Sequence, residues 1–178
     1  MGISKRILKI IFIILILIFS GITINIVYAE ENSNTEIDIY MSRVVKDGVY
    51  YITSVIDPNY VIDVKGGSLD NEAELELHTK HKDTNQKFYI HYVGNGYYQI
   101  ENIASTKTIE VKGGLTEIGT IIQQYDENNT SAQRWKIRKN IDGTYNFISE
   151  CSGKAMDIQG GIIENETPIQ QYTYKKYN

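Results

Sequence analysis

Along most of this chain, apolar and polar residues alternate in short runs, and no stretch holds a helical period. From about residue 48 onward the runs are four to six residues long and are bounded by Gly, Asn and Asp, the pattern of short strands joined by turns. Strands are expected at 50–55, 60–64, 75–79 and 88–92. A second set is expected at 97–102, 108–111, 121–125 and 135–138, and a third at 145–149, 155–158 and 169–172. The chain therefore reads as all-β.

The three sets are copies of one another. A Gly-Gly pair stands at Gly66-Gly67, Gly113-Gly114 and Gly160-Gly161, and both steps are 47 residues. Its flank repeats as Val-Ile-Asp-Val-Lys, Thr-Ile-Glu-Val-Lys and Ala-Met-Asp-Ile-Gln. One such unit cannot bury its own apolar face, so the three must share a core. Asp47-Gly48, Asn95-Gly96 and Asp142-Gly143 fall at the joints between copies. These dipeptides favour type I′ hairpin turns, so the last strand of each copy is expected to pair with the first strand of the next.

The third copy stops before its fourth strand. The aromatic of the fourth strands, Phe88 and Trp135, lies eight residues before Gly96 and Gly143, and Tyr40 lies eight before Gly48. Residues 40–44 (Tyr-Met-Ser-Arg-Val) are therefore expected to supply the third such strand and close the ring, which removes an exposed sheet edge. The alternative is an incomplete last repeat.

The first residues have a different character. Lys5, Arg6 and Lys9 precede an apolar run that extends to Val27, and Val27-Tyr28-Ala29 precedes Glu30-Glu31. This layout is that of a secretory signal peptide cleaved after Ala29. An uncleaved anchor is the alternative, and membrane contact is expected only in that case. Residues 30–37 read as a flexible linker and 38–178 as one domain.

Without residues 1–29 the chain has 15 basic and 22 acidic residues, a formal charge of −7. That balance speaks against nucleic acid or an anionic membrane as a partner. The single cysteine, Cys151, reads as a small apolar residue, so the fold must rest on packing.

Asn85-Gln86-Lys87-Phe88 and Ala132-Gln133-Arg134-Trp135 carry a Gln-x-aromatic signature at the same phase of the repeat. With the three carboxylate-then-Gly-Gly turns, they make residues 38–178 resemble the ricin B-type lectins, of the bacterial secreted kind. The resemblance implies a β-trefoil: a six-stranded barrel capped by three hairpins. It also implies a shallow sugar pocket in each repeat. There an Asp before the turn accepts from two sugar hydroxyls, a Gln and an aromatic follow on the next strand, and an Asn precedes the Gln-x-aromatic. A carboxylate suits two hydroxyl donors, an aromatic face covers the C–H face of a sugar, and residues two apart on a strand share a side.

Carried over by position, the third copy offers Asp157, Gln170 and Tyr172, with Ile37 in the place of its Asn if the ring closes from the N-terminal side. The second offers Glu110, Gln123 and Tyr125, with Ala132 for the Asn. The first keeps Asp63 and Asn85 but has Glu76 and His78 where the Gln and the aromatic belong. Gln86 and Gln133 read as structural amides, and Phe88, Trp135 and Tyr40 as core residues. Tyr125 and Tyr172 are expected to face outward.

Other chemistry finds little support. His78 and His81 at i, i+3 in or near a strand should face opposite sides, so no metal site is expected. No cofactor motif or nucleophile motif is present, and the recurring carboxylates sit on separate lobes, so no catalytic pair and no enzyme are expected. The resulting expectation is a secreted, non-catalytic glycan-binding module for galactose-type sugars. The alternative is a degenerate trefoil that serves as a protein-interaction subunit of a secreted toxin or adhesin complex.

Overall fold

Eleven strands form between Gly48 and Tyr172, and they follow the repeat. A computed structural model describes residues 43–174. The first repeat holds β1 (Gly48–Tyr50), β2 (Tyr60–Val64), β3 (Leu75–Thr79) and β4 (Phe88–Gly94). The second holds β5 (Tyr97–Asn102), β6 (Thr108–Val111), β7 (Ile122–Tyr125) and β8 (Trp135–Lys139). The third holds β9 (Tyr145–Ser149), β10 (Ala155–Ile158) and β11 (Thr167–Tyr172). The first strand lies earlier than its expected span of 50–55 and shares only Tyr50 with it; beyond Tyr50 the chain turns to β2, with a bridge from Thr53 to Val61 and backbone bonds from Ser54 N–H to Tyr60 and from Ile62 N–H to Ile52.

All pairing is antiparallel. β2–β3, β6–β7 and β10–β11 form three equivalent hairpins, and β4–β5 and β8–β9 join successive repeats. β1 pairs with β4 and β5 with β8, so the first and fourth strands of a repeat are also neighbours. This arrangement is a β-trefoil. Phe88 and Trp135 point into its centre with Ile100, Ile109, Ile122 and Ile169, all fully buried. Each large side chain buried there contributes about 1.5–3 kcal/mol. The indole N–H of Trp135 donates to the Ile109 carbonyl (3.0 Å) and so carries its one polar group into the core with a partner.

The Gly-Gly pairs perform one task three times. Each opens the turn between the two strands of a hairpin, with φ near +60° at both glycines, a conformation that costs other residues strain. The repeat joints are less uniform. Asn95 and Gly96 both have positive φ, as a type I′ turn requires. At Asp142-Gly143 only Gly143 does. There Gly143 N–H donates to Asn140 and Asn140 N–H to Thr144, a longer loop that ends in a left-handed glycine. Asp142 accepts from the Thr144 hydroxyl and N–H, which hold its carboxyl below the usual range.

Neighbouring repeats are stitched by buried amides. The Gln124 side chain donates to the carbonyls of Ser68 and Asp70 and accepts from the Ser105 hydroxyl. One repeat on, Gln171 donates to Leu115 and Glu117 and accepts from Ser152. Leu77 holds the corresponding place in the first repeat, where its carbonyl accepts from Glu166 N–H.

The barrel shows five strands among the described residues: β1, β4, β5, β8 and β9. Among the described residues, no strand lies between β9 and β1. Tyr98 on β5 pairs with Trp135 and is 2% exposed, whereas Tyr145, its counterpart on β9, is 44% exposed. A cavity of about 710 Å³ lies here, lined by Tyr50, Ile52, Phe147, Met156 and Ile158 among others. Of the expected closing strand at 40–44, Tyr40, Met41 and Ser42 lie outside the described residues. Arg43 and Val44 are described, and they sit in irregular backbone rather than in a strand. Asp47 likewise forms no hairpin turn. Its carboxylate pairs with Arg43 (3.0 Å) and accepts from Tyr92 N–H (3.0 Å).

Candidate functional site

The repeat places one carboxylate at the end of each hairpin's first strand and one polar side chain opposite it on the second. Asp63 faces Glu76, Glu110 faces Gln123, and Asp157 faces Gln170. All three pairs therefore come together as the spacing implies, but they differ in what else they touch.

In the second repeat, Gln123 Nε2 donates to Glu110 Oε1 (2.9 Å) and Gln133 Nε2 to Oε2 (3.1 Å). Gln133 also donates to the Asp126 carbonyl and accepts from Asn128 N–H. Glu110 and both amides are buried, so its carboxylate is engaged by the protein itself. Tyr125, half-buried, stands beyond them opposite Thr108.

In the third repeat, Gln170 Nε2 donates to Asp157 Oδ2 (3.1 Å). No Gln-x-aromatic strand covers this carboxylate among the described residues, and Asp157 is half-buried rather than buried. Tyr172, two residues beyond Gln170 on the same side of β11, is 46% exposed. Asp157, half-buried, and Tyr172, exposed, thus share a side of the hairpin, with the buried Gln170 amide holding the carboxylate between them.

In the first repeat, Asn85 Nδ2 donates to Asp63 Oδ1 (2.7 Å) and Gln86 Nε2 to Oδ2 (2.8 Å). Gln86 also donates to the Thr79 carbonyl and accepts from His81 N–H. Gln86 and Gln133 thus do equivalent work, tying a loop to the repeat's carboxylate, and both are completely buried. They are structural, as their spacing suggested. Ionised, Glu76 has no proton to donate to Asp63 as Gln123 and Gln170 donate to their partners. It is 5% exposed, and its Oε2 has no hydrogen-bond partner. Burial first, and the Asp63 charge second, push its carboxyl above the usual range.

The histidines correct the expectation drawn from their spacing. His78 and His81 do not face opposite sides: their rings meet edge to face, with centroids 5.8 Å apart. β3 ends at Thr79, and the Gln86 amide draws the following loop back over the hairpin. His81 thereby brings Nε2 to 3.2 Å from Asp63 Oδ2. One ligand atom from each of Asp63, His78 and His81 lies within 4.8 Å of the others. Spacing along a strand says nothing about a residue past the strand's end. A cavity of about 470 Å³ opens over this group, and Glu76, Asp83 and Asn85 also line it.

Two overlapping matches to the family model described as the ricin-type beta-trefoil lectin domain-like family cover residues 38–125 and 84–172. The chain belongs to this family. No curated protein matches it in sequence. Among solved structures it is similar to ThreeFoil, a designed threefold-symmetric protein (26% identity, TM-score 0.70, 72% of this chain and 91% of that one). It also resembles the exo-β-1,3-galactanase 1,3Gal43A from Clostridium thermocellum (30% identity, TM-score 0.66), with 74% of this chain matched to only 28% of the enzyme. The Macrolepiota procera ricin B-like lectin, solved with lactose, shares the fold at 20% identity and TM-score 0.63, over 76% of this chain and 92% of that one.

Proposed function

We propose that this trefoil is a secreted, non-catalytic carbohydrate-binding module for galactose-type glycans, with its main pocket in the third repeat. The observation that carries this reading is the contrast among the three carboxylates. Asp63 accepts from Asn85 and the buried Gln86, and Glu110 from the buried Gln123 and Gln133, while Asp157, itself only half-buried, accepts from Gln170 alone among the described residues. An open carboxylate can take two sugar hydroxyls, and the exposed Tyr172 ring can cover the apolar face of the sugar. Membership of a lectin-like family supports the class of ligand. The galactanase relative and the lactose-bound lectin support a galactose-type sugar. A single shallow pocket of this kind binds weakly and gains strength from multivalent display. Secretion rests on the leader pattern of residues 1–29.

A glycan-array screen of the purified chain tests this, with Asp157→Ala beside it. Binding to galactose-terminated glycans that Asp157→Ala abolishes is the expected result. A folded chain that binds no glycan would refute the reading and leave the protein-interaction subunit as the better account.

A further inference from the structure

We propose that the first repeat holds a site for one divalent transition-metal ion of the Zn²⁺ class, with Asp63, His78 and His81 as its ligands. Imidazole and carboxylate together suit this class of ion. Around a tetrahedral ion at about 2.0–2.1 Å, ligand atoms lie roughly 3.3 Å apart. The three here already fall within 4.8 Å of one another, with His81 Nε2 and Asp63 Oδ2 at 3.2 Å. Small side-chain rotations close the remainder.

The surroundings fit a metal in two further ways. Each histidine has a partner for its other nitrogen, as metal-bound histidines do. His81 Nδ1 lies 3.3 Å from Asp83 Oδ2, and His78 Nδ1 lies 3.1 Å from the Thr79 carbonyl and 3.3 Å from its hydroxyl. The Asp83 N–H also approaches His81 Nδ1 (3.3 Å), so His81 has partners in either tautomer. The tautomer protonated on Nδ1 leaves Nε2 free to bind an ion. Secondly, Glu76 lines the same cavity with a buried carboxylate oxygen that has no partner, and it faces Asp63 across the hairpin. The carboxylates around this cavity outnumber the basic charge beside them, and a divalent cation offsets the excess. Lys65, at the rim, is the nearby basic residue, against Glu166 and Asp83 on the acidic side.

The second repeat is the internal comparison. Where the first has Glu76, His78 and His81, the second has Gln123, Tyr125 and Asn128. Glu76 and His78 are the first repeat's two departures from the sugar-pocket pattern; with His81, which replaces an Asn outside that pattern, they put stronger ligands in place of weak ones around one cavity. The degeneracy of the first repeat as a sugar site is thus the signature of a different ligand.

The test is calorimetric titration of the chelator-treated full chain with ZnCl₂, without any glycan, so its outcome is independent of sugar binding. One ion per chain is expected, with a rise in melting temperature. His78→Ala and His81→Ala should each weaken binding at least about tenfold, while His91→Ala, on β4, leaves it unchanged. Circular dichroism without metal confirms that the variants fold. Because the chain has three histidines, the imidazole NMR signals give a second readout: those of His78 and His81 should move with Zn²⁺ and that of His91 should not. A folded chain that takes up no Zn²⁺ at millimolar concentration, or binds it equally in the His78→Ala/His81→Ala double variant, overturns the proposal.

Discussion

Asp63 and Glu76 face each other across β2 and β3, carboxylate to carboxylate, at the position where Glu110–Gln123 and Asp157–Gln170 pair a carboxylate with an amide. The Glu76 carboxyl is raised above its ordinary value by burial and by Asp63. A raised acid binds its proton more tightly folded than unfolded. Its ionisation therefore destabilises the fold, and metal-free stability falls as pH climbs from the unfolded value near 4.5 through the raised folded one. Glu76→Gln restores the amide of the other repeats. It should add about 1 kcal/mol at pH 7 and remove that part of the pH dependence. Chemical denaturation in the presence of chelator, at pH 4.5 and pH 7, checks it. A variant less stable than wild type at pH 7 would count against the repulsion described here.

Gln133 bonds to Glu110, Asp126 and Asn128 from a fully buried position. Gln133→Ala strands a carboxylate oxygen, a carbonyl and an N–H at once. The expected cost is about 3 kcal/mol, because unpaired buried groups cost more than the net worth of the bonds. Urea denaturation measures it, and a loss under 1 kcal/mol would show that water replaces the amide.

The parts of this molecule readable from its sequence are those that a local period governs. The Gly-Gly spacing located all three hairpins, and alternation placed Gln170 beside Tyr172 and buried Phe88 and Trp135. What escaped depends on where loops go. His81 reaches Asp63 because Gln86 pulls its loop inward, and Gln124 and Gln171 bond to carbonyls of another repeat. Asp142-Gly143 looks like Asn95-Gly96 in sequence, yet Thr144 captures the Asp142 carboxylate and the turn takes a longer form. Side-chain competitors for a turn are visible only after the chain is folded.

Tyr172 is exposed where Gln170 is buried, so the ring is available for contact without a role in the core. Tyr172→Ala should weaken glycan binding by about tenfold, the scale of one aromatic contact, and leave the melting temperature within about 1 °C of wild type, as for other exposed substitutions. Tyr125→Ala, at the equivalent place beside the self-engaged Glu110, should leave glycan binding unchanged. Equal losses from both variants would distribute the binding over two repeats.

The open side of the barrel yields the last expectation. β9 and β1 each present an edge without a described partner, and Tyr145, Phe147 and Met156 are less buried than Tyr98, Ile100 and Ile109, their counterparts one repeat earlier. The sequence phase assigns the missing strand to the segment around Tyr40. If that segment fills the slot, it covers apolar surface at about 25 cal/mol per Å² and satisfies two strand edges. A chain starting at Arg43 should then melt at least about 5 °C below one starting at Glu30, and a peptide of residues 36–44 added to the shorter chain should raise its melting temperature. Identical melting of the two chains would mean that this segment does not close the ring. The packing of β9, β10 and β1 would then have to hold the third repeat without a sixth strand.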